Sequence, residues 1–338
     1  MTGRERFKLI MERKSDKAGF WHGHTCAGRG DVFYSYFGVE DDLELGHKLG
    51  DTLAWIQLEE YGLWQHPDNV AMMDVLGGKT RHSLNQDGVF ANCNSVAEVE
   101  RFHWPDIKYC DFSIAEQAVE KSLSRGHAVL SGVWAPFFHN VCDFFGMENY
   151  FTMMYEYPAV VQAVTEHVVD FYLRVNKRWF DMIGDRMDAV FFGSDFGSQL
   201  DLLISPEMFD EFVLPYFRKI TGQAKSSGYK VVLHSCGSIE RVIPKLIDAG
   251  VDALHPIQAR ARNMDAETLA KKYGEKVIFI GGVDAQGILP FGTPEQIRDE
   301  VHRLKNLFGP NYIVSPSHEE LLPNIPPENI LAMTEAAV

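Results

Sequence analysis

The sequence predicts an α/β fold, a single (β/α)8 TIM barrel with elaborated N-terminal loops, and three observations carry that expectation. Short apolar runs bounded by Gly, Pro or Ser recur along the chain, each followed by a helical pattern, which is the alternation of βα units on a parallel sheet. The length, 338 residues, is ordinary for one such barrel. No Gly/Ser/Pro-rich linker and no internal repeat divides the chain, so residues 1–338 are expected as one domain.

Taken in order, the eight strands are expected at Ala18–His22, Thr52–Gln57, Ala128–Trp134, Ala189–Gly193, Lys230–His234, Ala253–Pro256, Val277–Gly281 and Tyr312–Ser315. The fourth, fifth, seventh and eighth are richest in Val, Ile and Phe, the residues that fit a pleated, buried surface. Between the second and third lies Tyr61 to Asp111, polar and irregular, which reads as an elaborated loop with room for a hairpin. Helices fill the other gaps. Ser205-Pro206-Glu207 sets an N-cap and first-turn proline for one helix over Pro206–Ser226. Asp265 to Tyr273 opens on a cap and closes on Gly274, and Thr293-Pro294-Glu295 repeats the start signal.

The formal net charge is −15, which argues against nucleic acid and anionic membrane surfaces as partners. Met1 to Lys17 is charged, with no apolar leader pattern, and no run approaches a membrane span, so the expected location is the cytoplasm. Five cysteines show no disulfide framework; Cys26, Cys93, Cys110 and Cys142 read as packed thiols.

In such a barrel, chemistry sits at the C-terminal ends of the strands. Just past those ends come His22 and His24, Glu59 and Glu60, Trp134 with His139, Asp195, His234 with Cys236, His255 with Gln258, Asp284, and His318. The sharpest signal is Leu233-His234-Ser235-Cys236-Gly237. In an extended chain residues i and i+2 point to one side, so the imidazole and the thiolate can reach one ion, and both suit zinc. A third ligand must come from elsewhere; His318 is the first choice, with Asp195 or a water completing the shell. Otherwise the pair is packed or hydrogen-bonded loop structure. Asp195 reads as a substrate ligand or as a helix cap, and Asp284 as even between a site and a turn residue. His22, His24 and Arg29 are placed to meet an anionic group or are merely solvated. No dinucleotide, Walker-type or Gly-x-Ser-x-Gly pattern occurs.

Several ordered segments then carry a resemblance. They are Gly193-Ser194-Asp195-Phe196-Gly197, Ile204-Ser205-Pro206-Glu207-Met208-Phe209, His234-Ser235-Cys236-Gly237-Ser238, Gly281-Gly282-Val283-Asp284, Phe291-Gly292-Thr293-Pro294-Glu295, and Ser317-His318 with Pro326-Pro327-Glu328-Asn329. Together they resemble the uroporphyrinogen decarboxylase superfamily, which includes corrinoid-dependent methyltransferases. The resemblance is strongest from Gly193 to Val338 and implies a barrel with its cleft at the C-terminal face. For the methyltransferase branch it implies zinc on a His-x-Cys pair plus a later Cys. His234 and Cys236 match the pair; His318 stands at the third position. Oxygen substrates suit a site with fewer thiolates.

The lead expectation is therefore a methyltransferase acting on a small-molecule methyl donor, methoxylated or methylamine-type. It would use zinc at His234, Cys236 and His318, with Asp195 and His255 as catalytic residues and Glu156 and Asp284 as outer candidates. The corrinoid would be carried on a separate protein, since no Asp-x-His-x-x-Gly motif occurs here. A homodimer is one assembly open to the chain. The alternatives are a metal-free porphyrinogen decarboxylase and a non-catalytic ligand-binding barrel. For the first, only Ala27-Gly28-Arg29 echoes the decarboxylases' Arg-rich segment, and Trp55-Ile56-Gln57-Leu58-Glu59 stands where their essential Asp would fall.

Overall fold

The computed structural model describes residues 1–26, 31–83 and 86–337. Its strands are β1 (Gly19–Phe20), β2 (His24–Thr25), β3 (Leu53–Gln57), β4 (Ala128–Gly132), β5 (Ala189–Gly193), β6 (Lys230–His234), β7 (Ala253–His255), β8 (Ile278–Val283), β9 (Tyr312–Pro316) and β10 (Glu320–Leu321). Eight of them form one parallel sheet in the order β1-β9-β8-β7-β6-β5-β4-β3. Each of the eight expected strands falls on one of these, so the barrel read from the sequence is the fold observed.

The sheet wraps round, and one seam, between β1 and β3, lacks a strand ladder. Thr52 closes it: its N–H donates to the Phe20 carbonyl at 2.7 Å, and its Oγ1 accepts from the Phe20 N–H at 2.9 Å. Both groups would otherwise be orphaned in a buried seam.

Alternation along the strands separates two cores. One fills the barrel, with Trp21, Leu53, Leu130, Phe191, Val232, Ile280 and Ile313. The helix Gly3–Met11 plugs its lower end with Phe7, Ile10 and Met11, and is started by a Thr2/Glu5 capping box. The other core lies between the barrel and its helices, where residues such as Val190, Phe192, Val231 and Leu233 pack against them.

Three features depart from the sequence reading. The helix over Pro206–Ser226 is two helices, Pro206–Phe212 and Leu214–Ser226, broken at Val213. Pro215 is the cause, since it supplies no N–H to a continuing helix and its ring crowds the preceding turn. Among the described residues, 61–111 hold a short helix, Val96–Glu100, a 3-10 turn, Ile107–Tyr109, and a single antiparallel bridge, Trp64 to Cys110, rather than a hairpin. The reason is aromatic packing: Phe90, Phe102, Trp104 and Phe144 form a mutual cluster that folds this segment onto the barrel's helices. The third is a ribbon that no periodicity announces. Beyond the ends of β1 and β9, β2 pairs in parallel with β10, His24 opposite Glu320 and Thr25 opposite Leu321.

Cys93, Cys110 and Cys142 are buried, as their reading as packed thiols required. Among the described residues no helix is long and apolar enough to cross a membrane.

Candidate metal centre at the barrel mouth

The strand ends deliver most of the expected side chains to one place. His234 is the last residue of β6 and Cys236 lies two residues on; Asp195 follows β5 in the same way. Their donor atoms lie within 4.8 Å of one another. His234 Nε2 is 3.5 Å from Cys236 Sγ and 3.3 Å from Asp195 Oδ1, while the Cys236 N–H donates to that same Asp195 oxygen at 2.7 Å. A second group within the same limit contains Cys236, His318 and Glu319. Cys236 is thus the donor common to both. Expected ligands His234 and His318 fall one in each group, each with a carboxylate beside it.

Sequence reasoning missed Glu319. In Ser317-His318-Glu319-Glu320 it reads as part of a solvated charged run, yet its side chain is only 19% exposed, because the β2–β10 ribbon folds it inward. Gly23, at φ +94°, permits this: a Cβ there would lie 2.6 Å from the Glu319 carbonyl, which accepts from the His24 N–H at 2.7 Å.

Beneath the donors, His255 ends β7 and is 1% exposed. Its Nδ1 meets His234 Nδ1 at 3.1 Å, and its Nε2 has no hydrogen bond among the described residues. Trp21 packs on it at 5.1 Å between centroids, and Trp134 packs on His234 at 5.2 Å. Trp55 joins Trp134 at 4.9 Å, so indoles wall one side of the site.

Charge follows from this packing. Burial works against a charged His234, but Glu319, the Cys236 sulfur and Asp195 outweigh it and raise its pKa well above the ordinary value. Burial and then the neighbouring His234 hold His255 well below the usual imidazole range, so His255 is neutral. Burial opposes ionisation of Asp195, yet His234 and the Cys236 N–H pull it down to about 2, so it is a carboxylate. Burial pushes the Cys236 thiol up, against the opposing pull of His234. With no metal bound the sulfur keeps its proton; a metal displaces it.

The other expected residues lie elsewhere. Asp284 is paired with Arg260 Nε at 2.8 Å and accepts from the Gln286 N–H, which is its turn role. Glu156 is exposed at the end of the helix Met147–Glu156. Gln258 accepts from the Gly237 N–H at 2.5 Å and so braces the Cys236 loop. Arg29 lies outside the described residues. His22 and His24 form a separate cluster along the open seam, lining a cavity of about 490 Å³. His22 Nδ1 pairs with Asp51 at 2.6 Å, and His24 bridges Asp42 at 2.7 Å and Glu60 at 3.1 Å.

Glu59, past the end of β3, accepts from the Trp134 N–H at 3.0 Å and 3.2 Å. Burial raises its carboxyl to about 7 from an ordinary 4.5. The folded chain then holds a proton that the unfolded chain has released. Stability from this group falls as pH rises between those two values and stays low above them, by at most ~3 kcal/mol. Gln keeps the acceptor for Trp134 without the charge. Glu59→Gln is expected to reduce the loss of melting temperature between pH 5 and pH 8; an undiminished loss would show that Glu59 does not titrate there.

Comparison with known proteins agrees with this architecture. A solved methyltransferase from Methanosarcina mazei superposes over 100% of this chain and 98% of its own, with a TM-score of 0.68 at 15% identity, which shows a common fold. A methylated-thiol–coenzyme M methyltransferase of Methanosarcina mazei is 31% identical over 100 residues, 28% of this chain and 24% of that protein. A methylcobamide:CoM methyltransferase, MtbA, of Methanosarcina acetivorans is 31% identical over 97 residues, 29% of this chain and 27% of its own. The matches thus span about a quarter of these relatives' lengths. The family pattern described as Uroporphyrinogen decarboxylase (URO-D) matches residues 71–338, and the chain belongs to that family.

Proposed function

We propose that the protein is a methyltransferase that moves a methyl group between a small methylated or methoxylated compound and a corrinoid carried on a separate protein. The observation that carries this reading is the set of nitrogen, sulfur and oxygen donors gathered at the strand ends around Cys236. The short matches to methyltransferases support the same chemistry.

The donors fit zinc. Cys236, His234 and His318 offer one sulfur and two imidazoles, and the carboxylates beside them complete a borderline-soft set. Zinc held there would supply Lewis acidity to the heteroatom that carries the methyl group. With a corrinoid protein docked, the carbon–heteroatom bond would break, the methyl would go to the partner's reduced corrinoid and the heteroatom would leave with the bonding pair. Asp195, ionised and fixed by the Cys236 N–H, orients a substrate hydrogen-bond donor and holds no proton to give. His255 acts through His234, bracing its Nδ1 from below. The indole wall of Trp55 and Trp134 excludes water from one side of the reacting group.

One observation counts against porphyrinogen decarboxylation. Among the described residues the cavity around His22 and His24 is lined by Asp41, Asp42, Asp51 and Glu60, a lining that disfavours a polycarboxylate substrate. The test is spectroscopic. Zinc-loaded protein, a reduced corrinoid protein and a panel of methoxylated and methylated amines should convert the cobalt to its methylated form with at least one donor. Turnover of uroporphyrinogen by metal-free protein, with no cobalt methylation, would overturn the proposal.

A further inference from the structure

Glu319 is a part-buried carboxylate, 19% exposed, with one oxygen that lacks a hydrogen-bond donor. Its Oε2 is buried and takes no hydrogen bond among the described residues. Such an oxygen is costly to leave unserved in a site of low dielectric. Two imidazole nitrogens lie nearest among its charge partners, His234 Nδ1 and His318 Nδ1, each 3.6 Å away and beyond hydrogen-bond reach. Both have other partners. His318 Nδ1 accepts from the Glu320 N–H at 3.0 Å, so its lone pair is used and it carries no proton toward Glu319. His234 Nδ1 is 3.1 Å from His255 Nδ1.

What remains within reach is the space shared with Cys236. A sulfur, an imidazole nitrogen and a carboxylate oxygen from Cys236, His318 and Glu319 all lie within 4.8 Å of one another. They come from two loops, one after β6 and one after β9. The second loop is fixed: His24 N–H grips the Glu319 carbonyl, β10 pairs with β2, and Gly23 leaves no slack. A side chain held inward by its backbone, with an unserved oxygen facing a thiol and an imidazole, has the chemistry of a metal ligand.

We infer that Glu319 is a protein ligand of the metal, joining Cys236 and His318 to give three protein donors and leave a position open for substrate. That count is the pattern of catalytic zinc sites. The assignment rests on the metal-dependent reading above and puts Glu319 in the place which that reading gave to His234, so that His234 flanks the metal without binding it. It also explains the site's chemistry, since a carboxylate in the donor set leaves a more electron-poor metal, suited to an oxygen-bearing donor.

Cobalt(II) titration of the chelator-stripped, full-length chain tests it without any turnover. The unmodified protein should bind about one Co²⁺, with a sulfur-to-cobalt charge-transfer band from Cys236. Glu319→Gln should weaken binding by about 100-fold while keeping that band, with the apo melting temperature unchanged. Glu319→Cys should add charge-transfer intensity, a gain that a merely structural Glu319 would not produce and that does not depend on how the Gln variant folds. Unmodified affinity and d–d absorption in Glu319→Gln, with no added intensity in Glu319→Cys, would overturn the assignment alone. No cobalt uptake by the unmodified chain would overturn both the assignment and the zinc-assisted reading.

Discussion

Replacing Cys236 by alanine is expected to reduce bound zinc from about one per chain to background and to slow methyl transfer by at least about 100-fold. The size of the effect follows from position. Among the described residues Cys236 is the one donor common to the two groups, so its removal takes the sulfur from both. Its neighbours then become a liability. His234 keeps Asp195 at 3.3 Å and Glu319 at 3.6 Å as charge partners that favour its protonated form, which competes with metal binding. The fold should tolerate the change. Cys236 is partly exposed and its loop is braced by backbone bonds to Asp195 and Gln258, so the apo form should lose no more than ~1 kcal/mol. Zinc content, apo melting temperature and cobalt methylation measured together check this. Full zinc occupancy in Cys236→Ala would remove the thiol from the centre, and a drop in activity at full occupancy would make it a substrate contact instead.

Much of this was legible in the sequence, for physical reasons that differ by element. The strands Ala189–Gly193 and Lys230–His234 announce themselves because a parallel barrel buries both faces, so the runs Ala189-Val190-Phe191-Phe192 and Val231-Val232-Leu233 are apolar throughout. Strand ends then point to His234, Cys236, Asp195, His255 and His318 by topology alone. What could not be read depends on contacts distant in sequence. The β2–β10 ribbon has two residues in each strand, too few for any periodicity, and only its pairing turns Glu319 inward. Asp284 looked equally suited to the site and to a turn until Arg260, 24 residues earlier, was seen to claim it. His22 and His24 follow the shortest barrel strand, where the seam opens, so they gather around Asp42, Asp51 and Glu60 instead of joining the metal donors.

The same dependence on distant contacts makes a glycine the most sensitive position around the site. Gly237 stands at φ +86°, where a side chain is strained, and an added Cβ would overlap the Gly197 carbonyl and lie 2.8 Å from the Gly197 Cα. The obstacle is backbone and cannot swing aside. Gly197 is pressed from its own side, since a Cβ there would lie 2.7 Å from the Ser238 N. The two loops therefore touch main chain to main chain, and three bonds depend on that contact: Ser238 N–H to the Ser198 carbonyl at 2.7 Å, Phe196 N–H to Ser235 Oγ at 3.2 Å, and Cys236 N–H to Asp195. Gly237→Ala must spend ~1–2 kcal/mol on the left-handed conformation and more on parting the loops, for a total of roughly 3 kcal/mol or more. A melting temperature lower by several degrees is expected, together with weaker metal binding, because parting the loops draws Asp195 away from Cys236. Gly222→Ala is the control, in the helix Leu214–Ser226 with nothing within 4 Å of its added Cβ. There the gain in helix propensity should stabilise by ~0.5–1 kcal/mol and leave the metal untouched. If both alanines instead behave alike, the close approach of the two loops does not hold the centre together. Asp195 and Cys236 would then owe their proximity to the strand ends of β5 and β6 alone.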